Sequence, residues 1–462
     1  MNNGVADNSI IVRHAIFILQ KSNKRAIVTL HDGKTTKDML QLQYIKDHRE
    51  ECISRLKIKN VADVEARIDE IIAIDADRRA LQVKADAVKA EQNKIAKEIG
   101  MLMKQGNAAE AEKRKEENGK LKEESATLSA KQAETEQLLN DKLISLPNTP
   151  HITVPCGKSE ADNVVVGEYG TKPDLPADAL PHWELCAKYD IIDFELGNKV
   201  TGAGFPFYKG KGARLQRALI NFFLNEATDA GFIEIQPPLM VNEASGLGTG
   251  QLPDKEGQMY AIPLDGFYMI PTAEVPITNI FRGEVVDAKQ FPIKRVGYSE
   301  CFRREAGSYG KDVRGLNRLH EFSKVEIVVI EHPDRSYDML EEMKKHVGGL
   351  LDKLGLPYHI LKLCGGDISF TSAMTFDFEV WSAAQKRWLE VSSVSNFETF
   401  QANRMKLRFK DENGKMQLCH TLNGSALALP RIVAALLENN QTADGIMMPE
   451  CLRPYLGFDK ID

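Results

Sequence analysis

Between Val61 and Leu146 the chain contains no Phe, Tyr or Trp, and no proline occurs before Pro147. A stretch this long, rich in Ala, Glu, Lys, Leu and Gln and without a helix breaker, has little open to it but long helix. Ile71, Ile74, Arg78, Leu81, Ala85, Val88, Gln92, Ile95, Ile99 and Leu102 follow an unbroken 3–4 spacing. That is the seam of a coiled coil. Lys104-Gln105-Gly106-Asn107 supplies a turn, with Gly106 as helix terminator. A second seam runs through Leu121, Ser125, Leu128, Gln132, Thr135 and Leu139. The pattern predicts two helices of roughly 40 residues folded back as an antiparallel arm, projecting on the order of 60 Å. Arg78, Gln92, Ser125 and Gln132 interrupt the seams, so the pairing is expected to be moderately stable. From Asp75 to Lys142 there are 14 basic and 14 acidic side chains, which leaves the arm neutral. Assembly or spacing competes with ligand binding as its role, because most heptad runs serve assembly.

After Pro147 the composition becomes mixed α/β, with Pro and Gly punctuation (Pro150, Pro155, Gly157, Pro173, Pro176) that reads as a linker into a second body. The 462 residues have room for two or three domains. The expected division is 39–148 for the helical arm and 149–462 for the body. Residues 1–38 fit nothing downstream, and Met39-Leu-Gln-Leu-Gln-Tyr-Ile-Lys resembles a natural start. The preceding stretch is therefore expected to be a non-native or disordered extension. A net charge of −6 and a pI near 6.0 exclude a global basic field for nucleic acid, so any RNA contact must use locally placed cations. Seven scattered cysteines without a C-x-x-C pair argue for reduced thiols and against structural zinc. The apolar run Ala15–Gln20 is too short to span a membrane. A soluble, cytoplasmic protein is expected.

In the body, two arginines bracket a glycine-rich turn. Arg303 lies in Phe-Arg-Arg-Glu before it and Arg318 in Arg-Leu-His-Glu-Phe after it. Both flanks alternate apolar and polar residues, so the stretch reads as a hairpin with a long loop. Guanidinium forks bind phosphate oxygens and the ring of Phe322 could stack on a base, but a surface hairpin decorated with arginine reads equally well. Arg431 stands in Leu-Asn-Gly-Ser-Ala-Leu-Ala-Leu-Pro-Arg-Ile-Val-Ala-Ala-Leu-Leu. Residues 425–439 read as an apolar helix, and a charge there needs a ligand phosphate or a buried acid unless it faces solvent. Glu390-Val-Ser-Ser393 ends a strand with groups that could hold Mg2+ beside a nucleotide, or could simply be solvated. Lys211–Asp229 reads as an amphipathic helix, 231–238 as a strand ending in proline, and 376–381 and 389–393 as further strands. His320 and Cys301 read as structural. No G-x-x-x-x-G-K-[ST] loop is present, and Gly246-Leu-Gly-Thr-Gly250 lacks the strand and third glycine of a dinucleotide site.

The strand ending in Pro238, the Phe-Arg-x-Glu hairpin and the late segment carrying Arg431 resemble motifs 1, 2 and 3 of class II aminoacyl-tRNA synthetases. Within that class, Gly248-Thr-Gly-Gln-Leu-Pro253, Thr272-Ala-Glu274, Arg314-Gly-Leu-Asn-Arg318, Glu390-Val-Ser-Ser-Val-Ser-Asn-Phe397, Phe400-Gln-Ala-Asn-Arg404 and Thr421-Leu-Asn-Gly-Ser425 are similar to the seryl-tRNA synthetase family. The helical arm resembles that family's tRNA-binding domain, and the likeness spans about 39–458.

The resemblance implies an α+β fold: an antiparallel class II sheet flanked by helices, with the two-helix coiled-coil arm at its N-terminal side. It implies activation of L-serine with ATP and transfer of the seryl group to tRNA(Ser), and to tRNA(Sec) where a cell has one. It implies a homodimer, with Mg2+ as cofactor and no zinc. Arg303 and Arg304, Glu305, Arg318, Phe322, Glu390, Val391, Ser392, Ser393 and Arg431 would form the ATP site. Arg303 would meet the α-phosphate, Glu305 the adenine side, Arg318 and Arg431 the γ-phosphate end, and Phe322 the purine ring. Glu390 and Ser393 would hold the magnesium; Arg303, Arg431 and Glu390 would be the catalytic groups. Thr272, Ala273, Glu274, Arg303, Glu326, Asn423 and Ser425 would form the serine site, with Thr272 and Glu274 at the amino group and Glu326 at the hydroxyl. The sequence departs from the family's usual pattern at Ala426, Pro430, Val394 and Glu321, all peripheral to these contacts.

Overall fold

The computed structural model describes residues 42–254, 256–305 and 314–462. Both the expected N-terminal extension, 1–38, and residues 306–313 between the two arginine-bearing flanks lie outside the described residues.

A short helix α1 (Arg49–Ile58) leads into two long helices, α2 (Val64–Lys104) and α3 (Ala108–Ser145), that pack along their length. Every predicted seam position on both is buried or half-buried, while most of the residues between them are exposed. Ile95 is fully enclosed halfway along. The turn falls where the sequence places it, with Gly106 at φ +75°, a left-handed conformation that costs glycine little. The seam's Gln132 finds a partner beside the seam, donating to Gln82 across the pair at 2.9 Å. At the base of the arm Ile45, Ile53, Leu56, Ile68, Ile71, Leu143 and Leu146 form a separate small core. Asp75 is buried at its edge and held by Lys46 at 2.9 Å, Arg78 at 2.8 Å and Arg79 at 2.9 Å. Burial pushes the Asp75 carboxyl upward, but these three cations outweigh it and leave its pKa below the ordinary value.

The body is built on a sheet of eight described strands: β1 (Val164–Tyr169), β2 (Ile233–Glu234), β3 (Ile293–Phe302), β4 (Glu321–Glu331), β5 (Tyr358–Lys362), β6 (Met374–Ser382), β7 (Arg387–Asn396) and β8 (His420–Ala428). Their spatial order is β1-β5-β6-β7-β8-β4-β3-β2, antiparallel throughout except that β2 runs parallel to β3. Helices α4 (Gly210–Asp229), α5 (Ser336–Leu354) and α7 (Leu429–Asn439) cover one face. Side chains alternate across a strand, so Val325, Ile327 and Val329 of β4 enter the helix-side core with Phe376, Phe378 and Val380 of β6. Their neighbours Lys324, Glu326, Asp377 and Glu379 point to the other face and line a cleft. The arginine hairpin is β3–β4, as its alternation predicts. Yet Ser323 through Glu331 are all buried, because β4 lies in the middle of the sheet and both its faces are covered.

Two local readings need correction. Residues 425–428 are the end of strand β8, not helix; the helix starts at Leu429 with Pro430 in its first turn, where a missing N–H costs nothing. A uniformly apolar run has no period to separate buried strand from buried helix. The strand read over 231–238 shrinks to Ile233–Glu234, since the two prolines that follow cannot donate to a ladder.

Truncating the enclosed seam residue, Ile95→Ala, is expected to cost the arm about 2 kcal/mol locally. Amide exchange over residues 85–125 should quicken about thirtyfold while exchange in β4 and β8 stays unchanged. Equal acceleration in the sheet would show that the arm does not open independently.

Candidate active site

The cleft above the polar face of the sheet has a volume of about 890 Å³. Antiparallel register decides which side chains meet there. Pairing of Glu326 with Ser425 across β4–β8 joins residues 99 positions apart, and pairing of Asp377 with Ser393 across β6–β7 joins residues 16 apart.

At one end stands a cluster of buried charge. Lys324 forms an ion pair with Glu326, and its ammonium also donates to the Thr272 hydroxyl at 2.8 Å. The Ser425 hydroxyl donates to Glu326 at 3.4 Å. Glu274, at the start of the short helix Glu274–Asn279, accepts from the Gln401 amide at 2.6 Å. Burial, and then the charge of Glu326, push its carboxyl up to about 7, against the opposing pull of Gln401 and Lys324. Gln401 lies on α6 (Phe400–Met405) and is itself oriented by the Thr421 hydroxyl, which donates to its carbonyl at 2.7 Å.

The other end is lined by arginines. Arg303 lies with its guanidinium 5.1 Å from the centre of the Phe322 ring and donates to the Pro271 carbonyl at 3.3 Å. Arg318 pairs with Glu305 at 2.7 Å. Arg431 donates to the backbone carbonyls of Glu390 at 2.7 Å and Asn317 at 3.0 Å, and its guanidinium is 3.6 Å from the Glu390 carboxylate. Near Glu390 lies Asp377, half-buried in the cleft wall. Burial first, then Glu390's charge, hold its carboxyl well above the usual range, and its Oδ1 has no hydrogen-bond partner.

Of the residues singled out from the sequence, Arg303, Glu305, Arg318, Phe322, Glu390, Val391, Ser392, Ser393, Arg431, Thr272, Glu274, Glu326, Asn423 and Ser425 all line this one cleft. Two do not. Ala273 is enclosed against Ile277 and Val328, and Arg304 is exposed. His320 and Cys301 have structural surroundings: His320 stacks on Phe205 and its ring nitrogen bonds the Arg303 carbonyl at 3.0 Å, while Cys301 is fully buried.

Sequence reasoning missed Lys324, although Phe322, Lys324 and Glu326 at i, i+2 and i+4 share a strand face and could have been read together. It also missed Asp377, Gln401 and a buried pair behind the arginines. The Leu316 amide donates to His182 Nε2 at 2.8 Å, so the ring carries its proton on Nδ1 and donates it to Glu438 at 2.8 Å. Burial works to raise Glu438, but bonds from His182 and Ser382 outweigh it and keep the carboxyl below its ordinary value. Gln385 links Glu438 at 3.0 Å to Asn317, which donates to it at 2.9 Å. This network fixes the Leu316–Asn317 backbone that Arg431 binds.

The geometry has close counterparts. Residues 39–150 match the family profile for the seryl-tRNA synthetase N-terminal domain, and 261–440 match that for the class II tRNA synthetase core domain (G, H, P, S and T). A serine–tRNA ligase of Salinibacter ruber is 50% identical over 425 residues, covering 92% of this chain and 99% of that protein. One from Chlorobaculum parvum is 45% identical over 431 residues, covering 92% of this chain and 100% of that protein. Among solved structures, the seryl-tRNA synthetase of Pyrococcus horikoshii complexed with ATP superimposes with a TM-score of 0.85 at 31% identity, covering 92% of this chain and 99% of that one. The cytoplasmic serine–tRNA ligase of Naegleria fowleri in complex with AMP gives 0.80 at 26%, with the same coverage. The identity, the near-complete coverage and the convergence of the expected residues on one cleft agree: the chain belongs to the seryl-tRNA synthetase family of class II aminoacyl-tRNA synthetases.

Proposed function

We propose that the chain activates L-serine with ATP to seryl-adenylate and transfers the seryl group to the 3′ end of tRNA(Ser), and to tRNA(Sec) where a cell has one. The observation that carries this reading is the single cleft with two unlike ends: buried acids facing Thr272 and Ser425, and arginines set over an aromatic ring. The serine ammonium meets Glu274 and Thr272, and its hydroxyl meets Glu326 and Ser425. Arg303 holds both the serine carboxylate and the α-phosphate, so that a carboxylate oxygen attacks phosphorus in line and pyrophosphate leaves. Arg318 and Arg431 hold the leaving end, and charge stabilisation replaces a protein nucleophile. The terminal ribose hydroxyl of tRNA then attacks the carbonyl of the adenylate. A site built to bond a hydroxyl discriminates strongly against alanine, which leaves its polar groups unpaired.

The donor set at β6–β7 fits Mg2+. Glu390 and Ser393 offer hard oxygens beside the partnerless Asp377 Oδ1. Among the described residues no group of three His, Cys, Asp or Glu could hold a metal alone, so the nucleotide's oxygens complete the shell. Bound there, the ion neutralises phosphate charge.

The remaining assignments follow from the same reading. Residues 39–148 form the tRNA-docking arm and 149–462 the catalytic domain. With equal numbers of basic and acidic groups the arm meets RNA through a few placed cations and through shape. The chain acts in the cytoplasm, and no described helix is long and apolar enough to cross a membrane. It acts as a homodimer through the edge strand β2 and the small sheet in which Met240–Asn242 pairs with Phe267–Met269, where Ile233 is 57% exposed, Met240 48% and Phe267 42%. Apolar exposure of that extent on one edge marks an interface.

Serine-dependent ATP–pyrophosphate exchange tests the activation step, and charging of tRNA with and without residues 70–140 tests the arm. No exchange with serine overturns the assignment; charging undiminished by arm deletion overturns the arm's role. Arg303→Ala should lower exchange by at least about a hundredfold with the dimer intact by light scattering. The pH dependence of serine binding is set by Glu274. Its pKa of about 7 lies above the ordinary carboxylate value, so the free site carries a proton below pH 7 and must release it when the serine ammonium binds. KM for serine should therefore fall about fivefold from pH 6 to pH 7 and level off above. Glu274→Gln should weaken serine binding and remove that slope.

A further inference from the structure

Helix α1 belongs to the arm's base, yet its far side reaches a turn that adjoins the cleft. Arg55 donates to the carbonyl of Pro150 at 2.7 Å and pairs with the Glu398 carboxylate at 3.3 Å, 343 positions away in the chain. Glu398 takes a second bond from the Tyr337 hydroxyl at 2.6 Å. Its backbone sits at φ +48°, a left-handed conformation that a residue with a side chain holds only when its surroundings impose it. This turn joins β7, whose end carries the cleft-lining Phe397, to α6. Two residues into that helix, Gln401 donates to Glu274. Nothing else described anchors the turn's charged side chain.

We propose that Arg55, from the arm's base, is a positioning residue for amino-acid recognition: through Glu398 it fixes the turn that sets Gln401 against Glu274. A helix only six residues long cannot fix its own direction by internal bonds; the packing of Ala402 and Met405 in a small core sets it together with the turn before it. Release of Glu398 lets the start of α6 relax, and Gln401 drifts from the carboxylate that receives the serine ammonium. The nucleotide end, held by Arg431 and the His182–Glu438 network on other elements, is untouched. A second contact from the same side keeps the neighbouring wall in place, since Lys59 donates to the carbonyls of Ser369 at 2.7 Å and Ser372 at 2.9 Å.

The inference rests on the serine-activating reading, and pyrophosphate exchange by the full-length chain without tRNA separates the two. Failure of the unaltered protein to exchange with serine overturns the reading itself. If it exchanges, Arg55→Gln should raise KM for serine on the order of tenfold, with KM for ATP and kcat within twofold, and Arg55→Lys should recover most of the loss. On a Glu398→Gln background the Arg55 substitution should add nothing further, because both act through one contact. Unchanged serine KM, an equal rise for ATP, or additive effects would each overturn it. Should Arg55→Gln fold poorly, Tyr337→Phe removes only one hydroxyl from the same carboxylate. It should raise serine KM about threefold with ATP KM unchanged, and no rise would overturn the proposal.

Discussion

Two acids and one base, enclosed on the same face of the sheet, set the terms for the rest of this cleft. Glu274, Glu326 and Lys324 are each under a tenth exposed. Buried charges persist only when paired and hydrogen-bonded, and one ammonium cannot neutralise two carboxylates. Lys324 takes Glu326; the excess falls on Glu274, whose pKa rises to about 7. The free protein thus loses stability as pH rises from the ordinary carboxylate value to about 7, because over that window the carboxyl is ionised only in the unfolded chain. A ligand bringing its own ammonium reverses this cost, and so binding and the protein's internal electrostatics share one carboxyl.

That cluster is possible because of how the sheet is covered. Helices enclose one face with Val325, Ile327, Phe376 and Phe378, leaving the alternate positions of the same strands for chemistry. Central placement of β4 and β8 then turns an ordinary period-2 pattern into an internal polar surface. The arginines at the other end are steadied differently, by backbone carbonyls. Arg431 ties strand β7 to the loop before β4 through the carbonyls of Glu390 and Asn317, and that loop is held from behind by His182, Gln385 and Glu438.

The arm could be read from sequence almost residue by residue, because a coiled coil is local and its seam repeats. Strands β3, β6 and β7 were equally plain in their alternation. The stretch 425–428 was not, since strand and helix look alike when every residue is apolar and only Pro430 marks the change. In the cleft, residues carried by the family resemblance converge on one place, while Lys324, Asp377, Gln401 and His182 stayed silent. Gln401 and His182 are meaningful only through partners far off in sequence, Glu274 and Glu438, while Lys324 needs its neighbours on the strand face read with it. An isolated lysine, glutamine or histidine has no pattern to betray it. Ala273 shows the converse, for it lies between two cleft residues in sequence yet is enclosed against Ile277 and Val328 at the start of a helix.

Long-range coupling of this kind also distinguishes the arm's base from its length. The seam along α2 and α3 is interrupted by polar residues. The base is different. Arg49 grips Asp69 with two bonds, at 2.7 Å and 2.8 Å, tying α1 to α2. Asp75 gathers three cations in a buried site, and Arg55 and Lys59 tie α1 to the cleft wall. Bidentate and buried pairs hold geometry where single surface pairs add little. Polar ties are therefore concentrated where the arm meets the body, and those from α1 and the residue after it reach the turn before α6 and the Ser369–Ser372 segment.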